Sequence, residues 1–446
     1  MSKNDPNELV EAAALEAEES AAPMVAMPAR SGRLPVTLRA LKHRNFQLFF
    51  SGQLISLVGT WMQSVAQAWL VYRLTGSSLL LGIVGFASQI PIFVLSPLGG
   101  TVADRYNRHR VVIGTQTASM ILAALLALLT LAHWLTVWEI IVLAALLGVV
   151  NAFDIPARQA FLVEMVGRED LMNAIALNSS MFNGARVVGP AVAGLLVASI
   201  GEGWCFFANA VSFIAVIAGL LMMRIAPRKG ERHAKMLDHI SEGFRYARRT
   251  GPVRNLLLLV GIVSLAGVPY TVLMPIFAAQ IFHGGAWQLG ILLGATGVGA
   301  VAGGLIFASR TGVRGLGRVA AWAAAGFGAS LIVFAFSRNY FLSIAVLVPV
   351  GFSLMTQMAC ANTMIQSMVP DRLRGRMMSL YSMMFIGMSP IGALASGAAA
   401  NWIGAPWAVA IGGMMCLVGA GVFSLRLPYL KHEAEKLLVH QESGSD

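Results

Sequence analysis

Charge is what this chain has little of. Asp, Glu, Lys and Arg together make 12% of its 446 residues, while apolar and aromatic types make 57%. A soluble domain carries about a quarter charged residues, so the composition excludes a water-soluble globular fold and implies a polytopic membrane protein. Cysteine is scarce too. Cys205, Cys360 and Cys416 fall inside apolar runs with no ligand spacing, which argues against a disulfide framework or a zinc site. All eight histidines (His43, His109, His133, His233, His239, His283, His432, His440) lie in tails, loops or span edges, so no histidine relay deep in the bilayer is expected. No nucleophile–base pair or metal-ligand spacing stands out, and neither an enzyme nor a bound cofactor is expected.

What is present is an excess of basic residues, for a formal net charge of +11. These residues sit between apolar runs, where they set orientation and touch anionic lipid rather than nucleic acid. Apolar runs of about 20 residues or more mark membrane spans. Twelve are expected, from Phe46–Tyr72 to Pro406–Leu425, with span five at Leu171–Ile200, span seven at Val253–Phe282, span ten at Tyr340–Met368 and span eleven at Met377–Asn401. The fold class that follows is an all-α polytopic membrane protein, twelve transmembrane helices in two six-helix bundles.

The expected organisation is a tail over 1–45, a six-helix bundle over 46–224, a basic linker over 225–252, a second bundle over 253–427 and a tail over 428–446. The first tail is Glu/Ala-rich and then basic, without the apolar core of a secretory signal. Arg105, Arg108, Arg110, Arg168, the cluster from Arg224 to Arg254, Arg310, Arg314, Arg318, Arg372, Arg374 and Arg376 lie on one side; the other side offers Arg73 and Arg338. That asymmetry puts both termini and the linker in the cytoplasm of an inner-membrane protein. The linker reads either as a solvated connection or as an amphipathic helix on the inner leaflet, with Ile240, Phe244 and Tyr246 among its arginines.

The halves repeat. Gly99-Gly100 in span two returns as Gly303-Gly304 in span eight, Gly148 in span four as Gly351 in span ten, and Gly189-Pro190 in span five as Ser389-Pro390 in span eleven. Parallel six-span repeats suit a transporter that rocks around a central cavity.

Polar residues inside spans are the site candidates. Gln53, Ser56, Thr60, Gln63 and Gln67 recur by threes and fours on one face of span one. The face either lines a cavity or glues helices; lining is the expectation, with Gln63, Gln67, Asn151 of span four and Gln357 of span ten facing a small-molecule substrate. Charges in the bilayer cost about 3 kcal/mol on the insertion scale and mark function by default. Asp154 and Arg158, at i and i+4, share a face of span four. Arg186 lies near the middle of span five, ahead of the expected hinge Gly189-Pro190. The three either brace spans four and five as one cluster or take part in gating and proton coupling, with Asp154 the carboxylate placed to carry the proton.

The stretch Gly99-Gly-Thr-Val-Ala-Asp104-Arg105-Tyr-Asn107-Arg108-His109-Arg110 resembles the signature loop of the major facilitator superfamily, with Asn107 where that pattern has glycine. The run from Asn183 through Gly189-Pro190 to Gly194 resembles the span-five motif of antiporters in that superfamily. Asn151 to Phe161 with Leu177-Asn178 is similar to a branch of siderophore exporters and macrolide efflux proteins. Ala144, four residues before Gly148, stands where many drug/proton antiporters carry arginine. The resemblance implies export of an amphipathic compound by alternating access, with the proton gradient as energy source. It also implies that Asp104 engages the start of span eleven in the outward-facing state. Arg105, Arg108, Arg110, Arg374 and Arg376 would complete that gate, Arg374 and Arg376 reinforcing the carboxylate at the helix start. A monomer is expected. Two other readings stay open: a lipid transporter, for which the methionines from Met355 to Met388 supply an adaptable surface, and a transporter-like membrane sensor.

Overall fold

The computed structural model describes residues 36–225, 244–310, 312 and 315–442. The chain divides into two units, Met1–Arg39 and Ala40–Asp446, and the long helices belong to the second. Arg314, most of the basic linker and most of the N-terminal tail lie outside the described residues.

Among the described residues twelve helices are long and apolar enough to cross a membrane. The first half holds α1 (Arg44–Thr75), α2 (Ser78–Arg105), α3 (Arg108–Leu131), α4 (Val137–Val166), α5 (Leu171–Ile200) and α6 (Glu202–Leu221). The second holds α7 (Gly251–Ile281), α8 (Ala286–Ala308), α9 (Leu316–Phe336), α10 (Tyr340–Met368), α11 (Asp371–Ile403) and α12 (Ala405–Glu442). Short turns separate many neighbouring helices within each half, several of them with local caps. Gly76, at φ 61°, ends α1, and the Ser77 hydroxyl accepts the Leu80 N–H to start α2. Asn339 accepts the Phe341 and Leu342 N–H groups at the start of α10.

The expected spans five and ten coincide with α5 and α10. Two others run past their apolar stretch. Helix α11 begins at Asp371, well before Met377, and α12 continues through Pro428 to Glu442. Hydropathy reads the part of a helix that crosses the bilayer, whereas the hydrogen-bond ladder continues into water. Helix α7 is irregular: two π-helical stretches, Val263–Gly267 and Phe277–Ile281, flank Tyr270–Ile276, in a run that carries Pro269 and Pro275.

Without a hydrophobic force between helices in lipid, close backbone approach at small residues does the packing. Helix α2 packs on α4 and α8 on α10 in the same manner in the two halves. Gly99 faces the Ala152 carbonyl and Gly148 the Ser88 carbonyl; Gly299 faces Val348 and Gly351 faces Thr296. The halves meet along two seams, α2 with α11 and α5 with α8. In the first, Gly82 lies against Gly397 and Ala393; in the second, Gly290 lies against Pro190 and Gly194. Gly82 and Gly290 sit near the starts of their helices and Gly397 near the end of its own. These contacts therefore lie towards the end of the bundles away from the Tyr106–Asn107 turn.

The methionines of the second half pack mainly inside it. Met358, Met368 and Met377 are buried, and Met384 and Met388 lie over Gly261.

Candidate transport site

At the turn between α2 and α3, Asn107 has an extended backbone and its side chain accepts the Arg110 N–H at 3.1 Å. The residue that departs from the glycine pattern is thus the N-cap of α3. Arg108 then folds back. Its Nε donates to the Ala103 carbonyl at 3.0 Å, Nη1 to the Ala160 carbonyl and to Glu164 (both 3.2 Å), and Nη2 to Asp104 at 3.3 Å. One guanidinium ties the α2–α3 turn to α4. Glu164, 14% exposed along its side chain, is its carboxylate partner on α4. Asp104 is 55% exposed, and among the described residues Arg108 is its ion-pair partner. Arg105 and Arg110 are exposed, Arg374 is exposed, and Arg376 is half-buried at the start of α11. His109 reaches the Leu220 carbonyl at 2.8 Å and stacks on Phe161, closing α3 onto α6 and α4.

Asp154 is 2% exposed. Its Oδ1 accepts from Thr115 Oγ1 at 2.7 Å and Gln116 Nε2 at 2.9 Å, both on α3, and its Oδ2 lies 3.2 Å from Arg158 Nε. A buried carboxylate with three donors is compensated. Of the two alternatives, a single bracing cluster of Asp154, Arg158 and Arg186 is not formed: Asp154 pairs with Arg158 alone of the two arginines. Arg186 instead stands over the Trp61 indole of α1, its Cζ 5.8 Å from the ring centroid. Sequence offers depth along a span, but the direction in which a side chain leaves its helix is settled by tertiary packing.

On the glutamine face of α1, Gln63 is buried and accepts from Asn209 Nδ2 of α6 at 2.7 Å, and the adjacent Gly52 and Gly59 lie against Ala215, Asn209 and Ser212 of α6. Gln63 thus joins α1 to α6. A period of three to four reports a helix face without saying whether water or another helix covers it. Gln63→Ala should therefore lower thermal stability by roughly 0.6 kcal/mol, the usual worth of such an interhelical bond, and leave the substrate profile of transport unchanged. A changed profile at unchanged stability would return Gln63 to the cavity.

Gln67 and Asn151 are half-buried, and their side chains make no hydrogen bond among the described residues. Gln357 is fully buried, with both amide atoms unpartnered among the described residues. It stands to Gly351 as Asp154 stands to Gly148, so the place of the acid in the first half is held by a neutral amide in the second. Gly189 and Pro190 are buried, and α5 runs unbroken through them. A Cβ on Gly189 would lie 2.4 Å from the Trp61 Cβ, so this point serves close packing of α5 on α1.

The family model described as "Transmembrane secretion effector" matches residues 35–443. The chain is 26% identical to the staphyloferrin A transporter of Staphylococcus aureus over 349 residues, covering 78% of this chain and 87% of that one. It is 26% identical to the multidrug efflux pump Tap of Mycolicibacterium fortuitum over 356 residues, with 78% and 87% covered. The enterobactin exporter EntS of Shigella boydii is likewise 26% identical over 358 residues, with 79% and 84% covered. Among solved structures, the nucleoside transporter NupG superposes with a TM-score of 0.65 at 13% identity, covering 88% of this chain and 99% of that one. A bacterial homologue of ferroportin in an inward-facing state gives 0.64 at 17% identity, covering 85% and 98%. The chain belongs to the transmembrane secretion effector family of the major facilitator superfamily, and is a multi-pass membrane transporter of small molecules.

Proposed function

We propose that the protein exports a small amphipathic compound from the cytoplasm by alternating access, in exchange for protons. It acts as a monomer in the inner membrane, with both termini cytoplasmic. The observation that carries the reading is the placement of contacts between the halves. The glycine seams close the bundles towards one end, while the Asp104–Arg108–Glu164 network and the Asp154 site lie towards the other. Two like-built bundles seated on one end are arranged to rock about it. The basic residues gather at the unseamed end, and the positive-inside rule makes that end cytoplasmic. Asp104 is exposed and pairs with Arg108 among the described residues; in the scheme, rocking to the outward state brings it to the start of α11. The names of the relatives, two exporters or efflux pumps among them, support the outward direction.

Asp154 is the proton carrier of this scheme, since its bundle alone has an acid at that place in the repeat. Everted vesicles containing the protein should accumulate a member of a panel of dyes, macrolides and siderophores when acidified inside, and should lose the accumulation when nigericin collapses the pH gradient. Accumulation that survives nigericin would remove proton coupling. No accumulation of any probe would remove export. Transport by Asp154→Asn with undiminished proton dependence would take the coupling role from Asp154.

A further inference from the structure

Arg186 is the half-buried cation in the middle of α5 that no carboxylate meets among the described residues. A charge held at such depth is costly without a partner, and what surrounds it is aromatic. The Trp61 ring lies beneath it, with Phe182, one turn earlier on α5, edge-on to Trp61 at 5.6 Å and 43% exposed. From the other bundle, Gly297 of α8 packs on the Arg186 backbone. A planar guanidinium with no counter-charge among the described residues thus stands beside an indole face, on a turn of α5 that the other bundle packs against.

A guanidinium fork matches a carboxylate in two parallel hydrogen bonds, and the aromatic wall takes a flat apolar body. We propose that Arg186 and Trp61 form a substrate site at the seam between the bundles, and that the exported compound is an organic anion with a carboxylate on a flat, apolar frame. A lipophilic cation meets an uncompensated positive charge there and is rejected. The proposal rests on the export reading and narrows its cargo. Because the site lies at the seam between the bundles, the anion is held when the bundles are in register and released when they rock apart.

Binding of radiolabelled naphthoate to the purified protein in nanodiscs tests it, with neutral naphthamide and cationic tetraphenylphosphonium as comparisons. The wild type should bind naphthoate about 10-fold or more tighter than naphthamide, the worth of one charge-assisted hydrogen bond, and should not bind tetraphenylphosphonium. Arg186→Gln should lose about 10-fold to 100-fold in naphthoate affinity while naphthamide is unaffected. Arg186→Lys, keeping the charge but not the fork, should fall between. If Arg186→Gln does not elute as a folded species, the wild-type ratio and Arg186→Lys carry the test. The site is overturned by a wild type that fails to bind naphthoate or prefers either comparison compound, or by an Arg186→Gln variant that binds naphthoate unchanged. The two readings fail separately. Export of tetraphenylphosphonium by everted vesicles sinks the anion and spares export; naphthoate bound but no probe moved sinks export and spares the site.

Discussion

Gly99→Val should leave little folded protein in the membrane, whereas Gly100→Val, one residue on, should express and melt like the parent. A Cβ at position 99 would stand 2.0 Å from the Ala152 carbonyl oxygen and 2.9 Å from its carbon. At position 100 nothing lies within 4 Å. Overpacking against side chains costs about 1–3 kcal/mol because they can move aside. The group facing Gly99 is the backbone of α4, which can yield only if the α2–α4 pair separates. That pair also carries the Arg108–Glu164 tie, so separation loosens the turn as well. The repeat offers the same contrast in weaker form: a Cβ on Gly303 would meet the Phe352 carbonyl at 2.7 Å, and one on Gly304 the Met355 methyl at 3.6 Å. Fluorescence-detected size exclusion and thermal melting in detergent read all four variants. Equal behaviour of the two members of either pair would mean that α2 and α4, or α8 and α10, do not approach as described.

The Gly-Gly pairs show what was legible in the chain and what was not. Their recurrence at equivalent places announces two like-built halves, but the pair is symmetric on paper. Which glycine meets a helix backbone depends on the azimuth of α2 against α4. The same limit explains the other departures. Gln63 and its neighbours declare a face of α1, yet Gln63 itself is bonded to Asn209 of α6. Arg186 lies at a bilayer depth that invited pairing with Asp154, and leaves its helix towards Trp61 instead. Asn107 breaks the glycine pattern of the loop, and its capping bond is a local rule that sequence alone supports. Spans five and ten were legible to the residue because local stop and start signals bracket them: Gly201 after α5, Asn339 before α10 and Pro370 after it. At α12 the helix runs on through Pro428, so neither the end of the apolar run nor the proline marks its end.

Asp154→Leu should be among the most destabilising single changes inside the first bundle, about 3–5 kcal/mol, the usual cost of breaking a buried charge pair by removing one partner. It strips the acceptor from Thr115 and Gln116 at once and leaves the Arg158 guanidinium without its counter-charge. Gln116 already has an unpartnered amide oxygen, so after the change neither end of its amide is satisfied. Arg158 is 21% exposed along its side chain and can turn part of its charge towards water, which keeps the loss from growing further. Asp154→Asn is a different experiment. The amide oxygen still accepts from Thr115 and Gln116, so the cost should be about 1.5–3 kcal/mol, that of one hydrogen bond to a charged group. Asp154→Leu with Arg158→Met should recover much of the single-variant loss, because no uncompensated charge then remains. Thermal unfolding of the three proteins in the same detergent separates the cases, and equal melting of the Leu and Asn variants would show that the carboxylate is hydrated rather than held by α3. The order also decides how transport is to be read. A variant that keeps the α3–α4 contact while removing the ionisable oxygen isolates proton handling from folding, so Asp154→Asn is the protein in which lost proton dependence speaks for coupling, and Asp154→Leu is the one in which lost transport speaks only for a loosened bundle.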